Sequence, residues 1–410
     1  MTLIKNSLWN MLPVIIPAAI ALPSLGFLSR GLGLELFGVY TLIFALLGYS
    51  GVFDFGMSRA VTRAIAIKRD DIQEVVTILS TSSIIVLVLS IIPSSLLFFF
   101  TDNVVAFFNI SKSYVDEVNY SLKLLTFIIP IYIANIVLLS YFEGQERFKE
   151  FNLIRLTGNS LVSILPVIFL FVGESFFSAF LGLLVGRIIS FIIVLLYIYI
   201  EVNKNYYYVY DSRIASELIK FGGWISISNL IIPIMVYFDR FILASMSGAG
   251  VVALYSSPSE LVSKMLAIPG AVSRALFPSS SYEMSINKNT QAFMLTFILS
   301  VLMALPVMLF SEWLLTVWLG SEFSKASIVL KILCIGFIFS SMSQIPYCLL
   351  QAKGLSKVTT IAQLCQLFPY LILLYVLISK YAFVGAAVAW SVRMFADFII
   401  FIYLRNKLVK

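Results

Sequence analysis

The chain has 410 residues, 60% of them apolar and 12% charged, with a mean hydropathy of +0.99 and a formal net charge of +7. No soluble globular domain carries that much apolar sequence without exposing large apolar surface, so the chain belongs in a bilayer. It contains no histidine, which excludes imidazole proton relays, histidine-ligated metals and Ser-His chemistry.

A spanning helix needs about 20 mainly apolar residues, and hydropathy divides the sequence into twelve such spans. Those of the first half cover 9–29, 34–57, 75–100, 118–141, 153–172 and 176–200. Those of the second cover 217–239, 251–272, 292–318, 326–350, 358–379 and 383–404. The runs are long and lack a period of two, so they read as helices rather than barrel strands. The expected architecture is all-α: a six-helix lobe over 1–200, a polar, tyrosine-rich cytoplasmic linker over 201–216 and a second six-helix lobe over 217–410. The first 30 residues carry Pro13, Pro17 and Pro23 in an apolar stretch too long for a signal peptide. They read as a retained first helix, bent by its prolines and the candidate moving element.

A repeat supports the division into halves. Tyr40 is followed eighteen residues on by Ser58-Arg59-Ala60, and Tyr255 eighteen residues on by Ser273-Arg274-Ala275, so one offset of 215 superimposes both landmarks. A period of half the length in a polytopic protein is the mark of a duplicated transporter. Orientation follows from Lys and Arg in alternate loops: with the amino terminus inside, inner loops and tails hold eighteen and outer loops five, which puts both termini in the cytoplasm. The basic balance is therefore a topology signal and not a footprint for nucleic acid. Cys334, Cys348 and Cys365 lie in apolar spans without metal-ligand spacing and read as small core residues.

The first hairpin has Ser29-Arg30, Gly33, Glu35 and Phe37-Gly38-Val39-Tyr40, then Asp54-Phe55-Gly56, Arg59, Arg63 and Ala64-Ile65-Ala66. The second half opens with Asn229, Tyr237-Phe238-Asp239-Arg240, Gly248, Gly250 and Tyr255, then Phe277-Pro278, and ends with Leu350-Gln351-Ala352-Lys353-Gly354 and Arg393. In order and spacing these residues, which anchor essentially the whole chain, resemble the polysaccharide transporter branch of the MOP flippase superfamily, specifically the O-antigen flippases (Wzx type). The resemblance implies a MOP/MATE-like pair of pseudo-symmetric lobes. It also implies translocation of undecaprenyl-pyrophosphate-linked O-antigen repeat units from the inner to the outer leaflet of the bacterial cytoplasmic membrane, in lipopolysaccharide biosynthesis. It implies no cofactor beyond an optional H+ or Na+ coupling ion, and an O-antigen polymerase with its chain-length machinery as candidate partners.

Charged side chains inside spans point the same way, since each costs about 2.5 to 3.5 kcal/mol at a helix centre. Six stand out: Arg187, Glu260, Lys264, Arg393, Asp397 and, nearer an outer end, Lys331. Glu260 with Lys264, and Arg393 with Asp397, stand four apart on one helix face. They read either as self-neutralised packing pairs or as the lining of a wet central cavity in which cations meet an anionic substrate. On the second reading Arg187, Lys264 and Arg393 bind substrate, arginine offering a planar fork for phosphate, with Arg30 and Arg59 at the two mouths. Asp54, Asp239, Arg240, Glu260 and Asp397 are the candidates for gating or ion coupling, Asp239-Arg240 being placed at the outer end of the seventh helix. Trp224 and Trp390 lie within spans, where they read as packing residues or as platforms for sugars. The rival readings are another MOP-fold exporter, of a different lipid-linked glycan or of cationic drugs, and a membrane enzyme such as an O-antigen polymerase. Against an enzyme, the longest segments between spans are roughly 20 residues and Asp70-Asp71 stands unsupported as a metal site.

Overall fold

The computed structural model describes residues 2–201, 209–229, 231–282 and 286–408, so most of the tyrosine-rich stretch after Glu201 lies outside the described residues. Every long element is a helix. In the first half these are α1 (Thr2–Ser50), α2 (Met57–Lys68), α3 (Ile72–Phe99), the short α4 (Thr101–Phe107), α5 (Val115–Gly144), α6 (Phe148–Gly173) and α7 (Phe176–Glu201). The second half follows with α8 (Ser212–Asn229), α9 (Ile231–Ser247), α10 (Ala249–Met265), α11 (Ala267–Tyr282), α12 (Ile286–Leu309), the short α13 (Ser311–Leu319), α14 (Ser327–Ala352) and α15 (Ser356–Leu408).

Among the described residues eight stretches are long and apolar enough to cross a bilayer, and two of them contain a break. A straight helix of the length of α1, 49 residues, would extend about 74 Å, more than twice the hydrocarbon thickness. It is interrupted at Gly33 (φ 72°, ψ 172°), and α15 is interrupted at Ala382 (φ 47°, ψ −126°). Dividing both at their breaks makes ten passes of the eight stretches; the expected seventh and eighth spans fall on α8 to α11, which are not among them. The helical dihedrals of α1 continue through Pro13, Pro17 and Pro23. The break in that element thus falls at the glycine, where a positive φ carries no Cβ penalty, rather than at the prolines.

The backbone repeats more fully than the sequence does. Gly33 and Gly248, both at positive φ and 215 residues apart, each stand seven residues before a fully buried tyrosine, Tyr40 or Tyr255. Three further pairs of positive-φ residues follow in order: Asn109 with Gly320, Glu146 with Gly354, and Glu174 with Ala382. Short α4 and short α13 are matched in the same way, each preceded by a phenylalanine of nearly identical dihedrals, Phe100 (φ −102°, ψ 17°) and Phe310 (φ −102°, ψ 18°). Helix-interior prolines recur too: Pro93 in α3 and Pro306 in α12, Pro130 in α5 and Pro346 in α14, Pro166 in α6 and Pro369 in α15. Among the described residues only Phe55 and Gly56 lack a positive-φ counterpart.

Packing divides the chain into two compact units, Met1–Phe238 and Asp239–Lys410. The division falls beyond the expected linker because α8 packs on α2 and α3. The guanidinium of Arg63 lies 4.7 Å over the Phe221 ring, and the N–H of Asp211 donates to Thr81 Oγ1 at 3.1 Å. Within the first unit α6 packs on α7 and on α1, and α3 on α5; within the second α14 packs on α15 and on α12. The outer surfaces of these helices are apolar, for example Leu87, Val88, Ile91 and Ile92 on α3, as a hydrocarbon environment requires. One expectation needs correction. Cys365 is exposed rather than part of the core, unlike the buried Cys334 and Cys348. Trp390 is a packing residue, its ring edge against the backbone of Gly336; the side chain of Trp224 lies outside the described residues.

Candidate functional site

In the first unit the notable side chain is Arg187, midway along α7. Its guanidinium lies 4.7 Å from the centre of the Tyr132 ring on α5 and 5.9 Å from that of Phe44 on α1. Arginine stacks well on such faces because its flat, weakly hydrated cation meets the negative face of the ring. The groups that interact with it electrostatically are the hydroxyls of Tyr132, Tyr40 and Tyr237, and no carboxylate is among them. Its Nε is buried without a hydrogen-bond partner. One turn on, Ser190 Oγ accepts from Asn135 Nδ2 at 3.3 Å, and Asn135 Oδ1 is buried and unsatisfied. The α5–α7 seam therefore carries an unneutralised cation beside unused hydrogen-bonding capacity.

The second unit holds a different arrangement. Arg240 Nη2 donates to Glu260 Oε1 at 2.9 Å, and Lys264 Nζ lies 3.8 Å from the other oxygen of Glu260. Asp239 Oδ2 accepts a short hydrogen bond from the Tyr255 hydroxyl. Arg393 stacks over the Tyr370 ring at 5.1 Å, and its Nε is 4.0 Å from Asp397 Oδ2. Three cations thus face three carboxylates, and the cluster is neutral as a whole. Asp239 and Arg240 are 3% and 5% exposed and lie in the middle of α9. This corrects their expected place at a helix end: the chain turns at Gly248 instead, and Arg240 leaves the tally of outer loop cations.

The remaining expected residues are not brought together with these. Asp54 is buried, and its carboxylate accepts from the N–H of Gly56 at 2.8 Å, the hydroxyl of Ser58 at 2.6 Å and the N–H of Ser58 at 3.4 Å. It closes its own left-handed turn and is bonded to neither Arg59 nor Arg63 in these contacts. Arg59 and Arg30 are exposed. Lys331 is exposed in the first turns of α14. Sequence reasoning overlooked Tyr132, Phe44, Tyr370 and Gln366 and took Tyr255 only as a landmark of the repeat and the family, since aromatic and amide residues in apolar runs carry no signal until their neighbours are known. The i, i+4 rule found Lys264 for Glu260 but missed the closer Arg240, on another helix. Among the described residues no cluster of three acidic or cysteine side chains is arranged to hold a metal.

Known proteins share these features to different depths. A family model described as polysaccharide biosynthesis protein matches residues 3–284. A protein of Shigella flexneri named for O-antigen transport is 38% identical over 421 residues, which cover 100% of this chain and 99% of that protein. Among solved structures, the lipid II flippase MurJ in an inward closed conformation matches with a TM-score of 0.83 at 15% identity, covering 97% of this chain and 87% of its own. A multidrug resistance MATE transporter of the MOP superfamily, inward-facing, matches with a TM-score of 0.76 at 16% identity, covering 97% and 94%. At such identities these two likenesses establish a shared fold.

Proposed function

Because the chain belongs to the polysaccharide biosynthesis protein family, we propose that it is a flippase. It moves undecaprenyl-pyrophosphate-linked O-antigen repeat units from the inner to the outer leaflet of the cytoplasmic membrane, using its two repeats for alternating access. The observation that carries this reading is Arg187: a cation within a membrane helix, stacked on aromatic rings and lacking a carboxylate partner. Such a charge is costly to hold in a bilayer unless something negative comes to it. A pyrophosphate suits it, since the guanidinium fork offers two parallel bonds to phosphate oxygens. An exporter of cationic drugs would place a carboxylate there instead.

The carboxylates of the second unit serve in this reading as internal counterions to Arg240, Lys264 and Arg393, and Lys264 and Arg393 are secondary contacts for the substrate. No coupling ion is required. Moving about two negative charges outward down a 100 mV inside-negative potential is favourable by about 4.6 kcal/mol, at roughly 2.3 per charge. The membrane potential alone is therefore a sufficient drive for the head group.

The test is to replace Arg187 in a strain that depends on this protein for surface polysaccharide. Arg187→Ala, at normal membrane abundance, is expected to abolish surface polysaccharide and to build up lipid-linked units facing the cytoplasm, with Arg187→Lys retaining part of the activity. Normal polysaccharide in Arg187→Ala overturns the assignment. Accumulation of single units on the periplasmic side would point to a polymerase.

A further inference from the structure

Past the break at Gly33, one face of α1 is arranged around Arg187. Phe44, Gly48 and the first residue of the following turn, Gly51, stand four and three residues apart and so share that face. Phe44 lies 5.9 Å from the Arg187 guanidinium. Gly48 is helical, a position where glycine is destabilising relative to alanine. What it provides is room: a β-carbon there would stand 2.7 Å from the Tyr237 hydroxyl oxygen and 2.8 Å from Tyr237 Cζ, closer than real side chains come. The Tyr237 ring, from α9, therefore occupies the space that any other residue at 48 would fill. The Tyr132 hydroxyl lies over Gly51, where a β-carbon would find it at an ordinary 3.7 Å.

Both hydroxyls belong to the surroundings of the cation, since Tyr132 and Tyr237 are among the groups that interact with Arg187 electrostatically. Arg187, Tyr132 and Tyr237 are each half-buried and Phe44 is 37% exposed, so none of the four is sealed off from an incoming ligand. Positions three apart on a helix face are separated by roughly 5–6 Å, the scale of two linked phosphates rather than one. A single guanidinium fork engages one phosphate through two parallel bonds. A second phosphate needs further donors. Phenolic O–H groups supply them without a second positive charge, which would repel Arg187 whenever the site is empty.

We propose that the hydroxyls of Tyr237 and Tyr132 complete an anion site around Arg187 that selects a pyrophosphate over a monophosphate, with Gly48 as the positioning residue that seats Tyr237. This rests on the flippase reading and deepens it: the site tells a polyprenyl pyrophosphate from the corresponding monophosphate by its second phosphate, without reading the sugars. Tyr132 has two tasks here, since its ring face also carries the guanidinium at 4.7 Å. Replacing it by phenylalanine keeps the ring and removes only the donor. The same holds for Tyr237, so the hydroxyls can be tested apart from the packing.

The experiment titrates the full-length protein with undecaprenyl pyrophosphate and, separately, undecaprenyl monophosphate, reading both affinities by native mass spectrometry. The unsubstituted protein is expected to prefer the pyrophosphate. Tyr237→Phe and Tyr132→Phe should each weaken pyrophosphate binding by about tenfold or more, the effect of one hydrogen bond to a charged group, and should change monophosphate binding much less. Gly48→Ala, which pushes Tyr237 out of its seat, should lower the same preference, and adding it to Tyr237→Phe should lower it little further, since both act through one hydroxyl. Gly51→Ala has room for its methyl group and serves as the control, with the preference of the unsubstituted protein. Thermal stability of each variant is measured in parallel. An unchanged preference in both phenylalanine variants, equal losses for the two lipids, or equal effects of Gly48→Ala and Gly51→Ala overturns the proposal. If Arg187→Ala loses polysaccharide while Tyr237→Phe and Tyr132→Phe keep the preference, the hydroxyl assignment alone has failed; if Arg187→Ala exports normally, the flippase site has failed first.

Discussion

Removing the carboxylate of Glu260 should destabilise the protein far more than removing the ammonium of its sequence neighbour Lys264. The Arg240 side chain is 6% exposed and meets Glu260 at 2.9 Å, whereas Lys264 is 40% exposed and stands 3.8 Å away. Breaking a buried pair from one side costs about 3 to 5 kcal/mol, because the surviving charge stays out of water. Glu260 is itself 21% exposed, which favours the lower end, so Glu260→Ala is expected to cost about 3 kcal/mol. Glu260→Gln keeps an acceptor in place and should cost about half as much. Lys264→Met loses a partly solvated contact worth about 0 to 1 kcal/mol. The assay is unfolding in mixed detergent micelles with rising SDS, followed by tryptophan fluorescence, with Arg240→Ala and the double variant completing a thermodynamic cycle. A coupling of about 2 kcal/mol or more between Arg240 and Glu260 is expected. Equal effects of Glu260→Ala and Lys264→Met, or strict additivity of the Arg240 and Glu260 changes, would refute the view that the pair is a buried unit of packing. Loss of transport in Glu260→Ala at undiminished stability would instead put that carboxylate in the transport path.

Two further outcomes follow from the same reasoning. Asp54→Ala removes three hydrogen bonds from a buried turn and is expected to cost about 2 to 3 kcal/mol, with Asp54→Asn milder because it keeps an acceptor; unchanged thermal stability with altered transport would make the residue a gate rather than a brace. A fluorescent protein fused after Leu408 should fluoresce, and alkaline phosphatase inserted at Lys325, between α13 and α14, should be active in the periplasm, as the distribution of Lys and Arg dictates; the reverse pattern would invert the topology.

Hydropathy made the helices legible because nothing but a helix or a closed barrel satisfies the backbone in a bilayer. The same reasoning misplaced Asp239 and Arg240, since a hydropathy window takes any charged pair for a boundary. Only the structure supplies Glu260 and Tyr255 as the partners that let the pair lie inside α9. Arg187 was visible because it is the one charge in its span, but its aromatic setting comes from α1 and α5, which no local pattern connects to it. Gln366 was invisible for the opposite reason: an uncharged amide in an apolar run looks unremarkable until its neighbour Asp397 is seen.

The repeat explains why bends were easier to anticipate than binding groups. At the offset of 215 that aligns Gly33 with Gly248, the charges of the second unit fall on uncharged residues: Asp239 on Ser24, Arg240 on Leu25, Glu260 on Ala45 and Lys264 on Tyr49. At the offset of 208 that aligns Glu174 with Ala382, Arg187 falls on Phe395, and Arg393 and Asp397 on Val185 and Ile189. The halves therefore share where the chain breaks and share none of these membrane-embedded charges. Backbone breaks serve any substrate, so both copies have use for them, whereas a cation without a counterion is tolerable in one place only if that place meets the anion. Under the proposed function, doubling Arg187 would double the desolvation cost for one pyrophosphate. A neutral cluster in the second copy leaves the first with the one charge among these that has no carboxylate beside it.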